Sequence, residues 1–448
     1  MENPLNRYQT SISQIFSEES KLGYWLKIEA ALAKAHAKVG NIPASAAKEI
    51  AKKANTKIIK VERVKEIDRE IHHDLMAMVK ALDEQCEGDA GKYMHLGATS
   101  YDIEDTATAL QLLEALSYIE KSIQKVLKTL LDLTEKHKNL VCVGRTHGQH
   151  AIPTTYGMRF GVWAYEFSRH LERLQQVRER ISYGKMSGAV GTMASFGENG
   201  FEIQKEVMDY LGLKPVLIAN QIIQRDRIAE VILFTTLVAG TCVKIAREFR
   251  VLQKTEIREM FEPFKEKKQV GSSTMPHKRN PHKSERICSL GRVLKSNAIV
   301  ALDNIVLEDE RDLTNSASER VIIPENFIYL DFILVQLEDN LRNAELNKKN
   351  IERNLNLTKG AILSEKIMVE LVKKGIGRQE AHELLRSAII KVRENDKSII
   401  EVFKEEPEIK SKFSEKEIDE MMNPKKYIGT SIQQVENLVK ILKDKHKL

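Results

Sequence analysis

The most constraining feature of this chain is the spacing of its prolines. No proline occurs between Pro43 and Pro153 or between Pro324 and Pro407. Since proline in a helix interior removes a hydrogen bond and clashes with the preceding turn, long helices can run uninterrupted through both stretches. Apolar residues in the first stretch are separated alternately by four and three positions, at Leu112, Leu116, Ile119, Ile123, Val126, Leu130 and Leu133. This spacing is typical of a helix packed lengthwise in a bundle.

A second long helix is predicted from about Asp226 to Glu256, and it is apolar on several sides, as a central helix of a bundle would be. Its most apolar run, Val231 to Val243, is shorter than the ~18 residues that a membrane span needs. Convincing β alternation is scarce, and no strand, Gly-rich turn and helix of a nucleotide-binding fold follow one another. We therefore expect an all-α protein with no membrane segment.

Length and composition divide the chain into three expected helical domains. Its 448 residues exceed the roughly 100 to 200 of one ordinary domain. Composition changes suggest an N-terminal helical domain at residues 1–105 and a central bundle of long helices at residues 106–345. A third helical domain is expected at residues 346–448, where Lys/Glu-rich stretches are typical of solvated helix faces.

Charge and cysteine content argue against several classes of function. Lys and Arg number 70 against 64 Asp and Glu, and no stretch combines clustered basic residues with aromatic ones, as a nucleic-acid binder would. The four cysteines lie far apart without a Cys-x-x-Cys pair, so neither a zinc site nor a disulfide framework is predicted. The chain does not begin with a basic and then apolar signal sequence, and we expect a cytoplasmic protein.

Four polar, Gly-rich stretches interrupt the helical pattern. The strongest, Gly271 to Pro281, reads Gly-Ser-Ser-Thr-Met-Pro-His-Lys-Arg-Asn-Pro, and its two prolines predict a loop between helices. It is either a solvated connector or a site, because it combines hydroxyls, a lysine and an asparagine with backbone N–H groups that can hold an oxyanion. The other stretches are His95 to Thr106, Gly144 to Thr155 and Arg311 to Arg320.

Two of these stretches also carry local signals. His147 is flanked by Thr146 and Gly148, which is a poor position for a histidine in a helix core. The segment from Thr99 to Asp102 is typical of a helix N-cap.

The loop at Gly271 resembles the G-S-S-x-M-P-x-K-x-N-P signature of the fumarase, aspartase and argininosuccinate lyase superfamily, and every fixed position matches. The stretch at Gly144 resembles the adenylosuccinate lyase form of another superfamily region, and the stretch at His95 is similar to the family's T-S-x-D segment, here Thr99 to Asp102. Arg311, Ser316 and Arg320 keep the spacing of that family's nucleotide contacts. The resemblance covers most of the chain to about residue 325. It implies a homotetramer with a multi-helix core, whose sites combine segments from three subunits.

The resemblance also implies a chemistry. Members of the family release fumarate by β-elimination from adenylosuccinate, giving AMP, and from the succinylated imidazole-carboxamide ribotide SAICAR, in purine nucleotide biosynthesis. By this resemblance Ser272 is the base and His147 the acid, while Lys278, Asn280 and the loop amides hold the carboxylate. Ser273 is a possible substitute for the base. The reaction calls for no metal and no organic cofactor.

The remaining site residues are expected from the same resemblance. His73 and His95 position the substrate or tune the acid, and Glu285 orients a histidine. The family commonly has Arg where this chain has His72, which can still donate one hydrogen bond. The other expected substrate contacts are Arg7, Tyr8, Thr99, Ser100, Thr146, Gln221, Met275, Arg311, Ser316 and Arg320.

Three other interpretations stay open. Argininosuccinate lyase, or another superfamily member that releases fumarate, is disfavoured by the spacing of Arg311, Ser316 and Arg320. A non-catalytic helical scaffold of the same fold is disfavoured by the presence of both Ser272 and His147. A basic helical nucleic-acid binder would bind DNA or RNA with a steep salt dependence.

Overall fold

The computed structural model describes residues 4–264, 274–395 and 397–448. In these ranges the chain is mostly helical, which confirms the predicted all-α class. The helices are α1 (Glu18–Lys38), α2 (Ala44–Lys53), α3 (Val61–Ile71), α4 (Asp74–Asp83), α5 (Ser100–Lys136), α6 (Tyr156–Ile181), α7 (Gly200–Leu211), α8 (Asp226–Leu252), α9 (His282–Asp303), α10 (Thr314–Arg342), α11 (Lys348–Asn356), α12 (Ser364–Lys373), α13 (Arg378–Asn395), α14 (Ile399–Glu405), α15 (Pro407–Lys412), α16 (Glu415–Met421) and α17 (Ser431–His446).

Short strands accompany the helices, and the sequence pattern did not predict them. They form three two-stranded sheets in the described ranges, two antiparallel and one parallel. The antiparallel pairs are β1 (Val141–Thr146) with β2 (Gln149–Thr155) and β5 (Met260–Phe261) with β6 (Glu345–Leu346), and the parallel pair is β3 (Tyr183–Gly184) with β4 (Lys214–Pro215).

The described chain separates into two compact units. Unit 1 comprises Met1–Ile123, His170–Gly240 and Ser289–Val335, and unit 2 comprises Gln124–Arg169, Thr241–Cys288 and Gln336–Leu448. The boundaries between these segments fall inside helices α5, α6, α8, α9 and α10. The division into three domains at residues 105 and 345 stays a prediction.

Each unit has its own apolar core. In unit 1, helices α1, α2, α3, α4 and α7 surround a core that includes Trp25, Leu26, Leu75 and Met208. In unit 2, a second core is built mainly from helices α11 to α16, and Phe403 lies at 0% exposure within it. Burial of large apolar side chains at this density is the main source of stability in both units.

Helix α5 carries the predicted apolar seam. Six of its seven positions are fully buried, and Leu133 is half-buried. The start of α5 at Ser100 agrees with the predicted N-cap. The N–H of Thr99 donates to Asp102 Oδ2 at 2.8 Å, so a carboxylate three residues into the helix satisfies a donor at the helix end.

Helix α8 ends at Leu252, four residues before the predicted end. In the described part of the chain it is long and apolar enough, by length and composition, to cross a membrane, although its most apolar run is shorter. Its most apolar window is 56% buried inside the protein, as in the core helix of a bundle. The buried hydroxyl of Thr235 on this helix accepts a hydrogen bond from Asn326 at 2.9 Å, and Asn326 accepts one from Asn297 at 2.8 Å. These bonds join α8, α9 and α10 within unit 1.

Candidate active site

The predicted nucleotide contacts of unit 1 lie close together. The guanidinium of Arg311 donates to Gln221 Oε1 at 2.8 Å, although the two residues are 90 positions apart in the sequence. Gln221 in turn donates to the carbonyl of Ala189 at 3.0 Å, which fixes its amide. The Nε and Nη2 atoms of Arg311 are buried and have no hydrogen-bond partner among the described residues. A guanidinium with unused donors is suited to an anionic ligand.

The backbone around Arg311 is held by the next residue. The Asp312 carboxylate accepts hydrogen bonds from the N–H of Glu308 at 2.6 Å and from the N–H of Thr314 at 2.7 Å. A hydrogen bond from the Thr314 hydroxyl, together with these two backbone bonds, holds the pKa of Asp312 below its ordinary value. Because Thr314 opens helix α10, Asp312 caps this helix and fixes the chain on both sides of Arg311.

Ser316 lies in the first turn of α10 and contacts a residue that the sequence did not single out. The hydroxyl of Tyr101 donates to Ser316 Oγ at 3.2 Å. The same tyrosine ring lies under Arg311, with the guanidinium carbon 3.5 Å from the ring centroid. Tyr101 is buried, and burial raises the pKa of its hydroxyl above the ordinary value.

Arg320, one turn further along α10, lies in an acidic environment. Its Nη2 atom is 3.3 Å from Asp74 Oδ2 and 4.0 Å from Glu104 Oε2. Burial, with the charge of Asp74, raises the pKa of Glu104 to about 7. Lys21 also contacts Asp74, at 3.4 Å. Arg320, Ser316, Glu104 and Lys21 line a cavity of 220 Å³, so the predicted contacts Ser316 and Arg320 share one recess in unit 1.

Side chains of unit 1 hold the beginning of the segment from His95 to Ser100 by hydrogen bonds. Glu29 accepts hydrogen bonds from the His95 ring at 2.6 Å and from its backbone N–H at 3.2 Å. His36 bonds the carbonyl of Leu96 at 2.9 Å. The Ser195 hydroxyl donates to the carbonyl of Gly97 at 2.5 Å. The predicted substrate-binding segment is therefore rigidly placed.

His95 is partly accessible and polarised. Its side chain is 12% exposed, and that of Glu29 is 1% exposed. Burial lowers the pKa of His95, but the hydrogen bond and charge of Glu29, with the charge of Asp102, outweigh it and raise the pKa above the ordinary value. His95 has a positive φ of 53°, which is uncommon for a residue other than glycine. The carboxylate thus holds the imidazole in one orientation.

Asp102 joins this segment to a second loop. Its carboxylate accepts from Lys185 Nζ at 2.5 Å, from the N–H of Ser187 at 2.9 Å and from the N–H of Gly188 at 3.1 Å. Thr99 and Ser100 lie at the start of the same helix. The buried ion pair therefore fixes both predicted contacts relative to the loop at residues 185–188.

His72 and His73 lie between helices α3 and α4. His72 ends α3 in the left-handed conformation, and its side chain is exposed. His73 is the N-cap of α4, where its ring accepts a hydrogen bond from the N–H of Met76 at 3.3 Å. Its Nε2 atom lies 3.5 Å from the Ser100 hydroxyl. The structure thus brings His73 to the start of α5, while His72 faces solvent.

The N-terminal pair lies in a short 3₁₀ helix, Pro4–Tyr8. Tyr8 packs edge to face against Tyr329 and Phe332 of helix α10. Arg7 is exposed.

His147 and Thr146 lie at the tip of the β1–β2 hairpin in unit 2. Thr146 pairs with Gln149, so His147 and Gly148 form a two-residue turn. Their φ angles are 53° and 75°, as a type I′ turn requires at both central positions. His147 is exposed. The hairpin therefore presents the predicted acid to solvent.

A buried glutamate at the base of the hairpin supports it. Glu259 accepts hydrogen bonds from Arg145 at 2.5 Å, from the Tyr156 hydroxyl at 2.9 Å and from Asn354 at 2.8 Å. Burial raises the pKa of Glu259, but the bonds from Arg145 and Asn354, with the charges of Arg145 and Arg159, hold it below its ordinary value. Strand β1 is thus fixed immediately before Thr146.

Only the C-terminal part of the signature loop belongs to the described residues, and Ser272 and Ser273 lie outside them. The carbonyl of Met275 accepts a hydrogen bond from the N–H of Lys278 at 3.0 Å, which closes a turn with Pro276 at its second position. An open, mainly cationic cleft of unit 2 is lined by Met275, Lys278 and Asn280 together with Arg250, Lys254, Arg258, Arg279 and His277.

The start of α9 follows this loop directly. Glu262 accepts hydrogen bonds from the N–H groups of Lys283 and Ser284, at 3.1 and 3.0 Å, and so caps the helix. Glu285 lies in the first turn and is exposed. Among the described residues, the lining of the cationic cleft includes neither His147 nor Thr146.

The sequence did not predict the residues that fix the expected site residues in position. In the described ranges no group of three or more His, Cys, Asp or Glu side chains could hold a metal ion. The T-S-x-D pattern could have pointed to Asp102. No local signal marks its partner Lys185, or the carboxylates Glu259 and Glu262 that support the hairpin and the start of α9. The missed residues are Glu29, Tyr101, Asp102, Lys185, Glu259 and Glu262.

Comparison with known proteins defines the class. A family model described as "Lyase" matches residues 6–294, and one described as "Adenylosuccinate lyase C-terminus" matches residues 360–438. The crystal structure of a fumarate lyase from Mesorhizobium sp. BNC1 has a TM-score of 0.89 to this chain at 31% identity, covering 97% of this chain and 98% of that one. The fold and the signature residues are those of a carbon–nitrogen lyase of the fumarate lyase superfamily.

Two relatives identify the family within this superfamily. Adenylosuccinate lyase of Methanocaldococcus jannaschii is 52% identical, covering 98% of this chain and 95% of the relative. Adenylosuccinate lyase of Pyrococcus abyssi is 54% identical, covering 96% and 95%. The chain belongs to the adenylosuccinate lyase family. The predicted family and enzyme class are confirmed, including for the C-terminal part, where the sequence resemblance was weakest.

Proposed function

We propose that this protein cleaves adenylosuccinate to AMP and fumarate, and SAICAR by the same reaction, in the cytoplasm. The observation that carries the proposal is the hydrogen bond between Arg311 and Gln221, since two distant residues assigned to the substrate meet in one place. Ser316 and Arg320 lie in the same unit on the next helix, α10. A phosphate and two carboxylates make the substrate strongly anionic, and these groups suit it.

The reaction is a β-elimination. The base removes a proton from the carbon next to one carboxylate of the succinyl group, and the electron pair is held on that carboxylate. The carbon–nitrogen bond then breaks, fumarate forms, and the acid protonates the departing nitrogen. In this proposal Ser272 is the base, His147 the acid, and Lys278 with Asn280 stabilises the additional negative charge.

The environments of the supporting groups agree with these roles. Lys278 belongs to a cleft rich in cations, where negative charge is favoured. The raised pKa of His95 favours an imidazolium, which can donate a hydrogen bond to a carboxylate or phosphate. Ser272 requires activation, because a serine hydroxyl is a weak base, and the loop amides and Lys278 are suited to it.

We further propose a homotetramer whose sites combine three subunits. Large apolar side chains of unit 1 are exposed on three long helices, including Leu237 at 55% on α8, Ile299 at 63% on α9 and Val321 at 55% on α10. Exposed apolar surface of this kind is typical of an interface between subunits. The exposed tip of the hairpin at His147 also leaves room for a site completed by another copy.

The test is an ultraviolet absorbance assay with adenylosuccinate, argininosuccinate and malate in parallel, with identification of the products. Formation of AMP and fumarate from the first substrate alone is expected. Turnover of another substrate alone would refute the specificity, and no turnover of any would favour the scaffold interpretation.

Subunit sharing has a separate test. Ser272→Ala and His147→Ala should each abolish turnover in a folded tetramer. Mixing the two inactive variants should restore part of the activity, because some sites then combine two intact segments. No recovery after verified subunit exchange would contradict the shared site.

A further inference from the structure

Tyr101 contacts two of the predicted nucleotide-binding residues at once. Its ring lies 3.5 Å from the guanidinium carbon of Arg311, and its hydroxyl donates to Ser316 Oγ at 3.2 Å. The tyrosine is the second residue of helix α5 and is buried. One rigid side chain thus touches two residues of a single segment that lies more than 200 positions away in the sequence.

The ring determines the plane of the Arg311 guanidinium. A guanidinium stacked on an aromatic face is attracted to it and is confined to a parallel plane. Nη1 is directed to Gln221, while Nε and Nη2 remain buried without a hydrogen-bond partner in the described residues. With one donor used and the plane fixed, the remaining edge has a defined direction, and an anionic oxygen that reaches it gains two hydrogen bonds.

The Tyr101 hydroxyl affects the hydrogen bond that the Ser316 hydroxyl can donate. Because the Tyr101 hydroxyl is the donor to Ser316 Oγ, the serine proton is free to point to another acceptor. A second cation, Arg225, lies 5.8 Å from the ring centroid but is paired with Asp105 at 2.8 Å. Arg311 is therefore the cation near this ring that keeps two nitrogen donors without a hydrogen-bond partner among the described residues.

We propose that Tyr101 is a positioning residue for the nucleotide phosphate. Its ring holds the Arg311 guanidinium, and its hydroxyl holds the Ser316 hydroxyl. The inference rests on the proposed function, in which Arg311 and Ser316 bind the nucleotide. Tyr101 occupies the variable position of the T-S-x-D segment, so the motif itself assigns it no role.

The test compares ligands with and without the phosphate. Binding of AMP and of adenosine is measured by calorimetry, and kcat and KM are measured with adenylosuccinate and its dephosphorylated nucleoside. Tyr101→Phe removes one hydrogen bond and should weaken AMP binding about 3- to 10-fold. Tyr101→Leu also removes the ring and should weaken it about 10- to 50-fold. Neither should alter adenosine binding, and the loss of turnover should lie in KM.

Tyr427→Phe is the matched control, since it removes a hydroxyl bonded to Glu365 at 2.8 Å in unit 2. It should leave both ligands unaffected. Equal losses for AMP and adenosine, or no loss for AMP, would overturn the proposal. If the wild type binds AMP but does not cleave adenylosuccinate, the proposed function fails, while the AMP-to-adenosine ratio still decides the role of Tyr101.

Discussion

The ammonium group of Lys185 donates to Asp102 Oδ1 at 2.5 Å, and neither side chain is exposed to solvent. The Asp102 carboxylate also accepts backbone N–H groups of Thr99, Ser187 and Gly188. A charge buried with this many donors is stable only while its partners remain. The beginning of helix α5 and the loop at residues 185–188 are therefore fixed by one interaction.

Lys185→Met should lower the free energy of unfolding by about 3–5 kcal/mol, because it leaves the Asp102 charge buried without its cation. Asp102→Asn should also destabilise the protein. The double variant should lose about 1–3 kcal/mol less than the sum of the two single losses, because the two groups interact directly. Urea unfolding followed by circular dichroism at one protein concentration measures the wild type, the two single variants and the double variant. Additive losses would show that the pair contributes no coupling.

Glu29→Gln should destabilise the protein in a pH-dependent way. The folded-state pKa of His95 is raised above the ordinary value, so the pairing with Glu29 stabilises the fold fully below the unfolded-state pKa of about 6.5 and is lost as the pH rises through the folded-state pKa. The difference in thermal midpoint between wild type and variant should be larger at pH 6 than at pH 9. His36 and Asp102 are the other titratable groups near this pair. A difference independent of pH would contradict the role of the His95 charge.

Gly191→Ala should displace the segment that carries Gln221. A Cβ at Gly191 would lie 1.9 Å from the carbonyl oxygen of Ala219, and its φ of 86° is already unfavourable for alanine. The matched control is Gly212→Ala, which has a φ of 71° but no atom within 4 Å of the added Cβ. We expect the control to lose about 1 kcal/mol of stability and to keep its KM.

The Gly191 variant should lose more stability than the control and should also have a higher KM for adenylosuccinate. Kinetics and thermal unfolding of both variants test this. Equal effects of the two substitutions would show that the backbone conformation, and not the contact with Ala219, is the cause.

Glu259→Gln should weaken the support of the His147 hairpin above pH 5. The folded-state pKa of Glu259 is depressed, so its ion pair with Arg145 stabilises the protein above the unfolded-state pKa of about 4.3 and is lost as the pH falls through the folded-state pKa. The gap in unfolding free energy between wild type and variant should be constant from pH 5 to pH 8 and should shrink below about pH 4. A gap that persists at pH 3 would indicate that shape, and not charge, supports the hairpin.

The fold could be predicted where the pattern is local and repeated. The seam of helix α5 from Leu112 to Leu130 is readable because a buried helix face imposes a fixed spacing over many turns. The hairpin at residues 141–155 was missed because its strands are short, and Pro153 lies within the second strand. Its turn signal, His147-Gly148, was interpreted as chemistry and not as a change of chain direction.

The site could be predicted only in part, because a sequence pattern reveals local spacing and not contacts between distant residues. The predicted substrate contacts lie in compact stretches such as Arg311 to Ser316, which a resemblance identifies. The groups that hold them in place come from distant positions, as with Lys185, 83 residues from Asp102. A single buried lysine or glutamate has no local pattern, because its role is determined by a partner that only the fold brings near.

The interruption of both units by segments of the other has a consequence for synthesis on the ribosome. Unit 1 needs the segment Ser289–Val335 to close, although its first segment ends at Ile123. At a synthesis rate of about 5–20 residues per second, the nascent chain needs about 10–40 s to grow from Ile123 to Val335. During that time residues of the first segment that pack on α10, such as Phe16 against Phe327, have no partner, so we expect chaperones to bind the emerging chain.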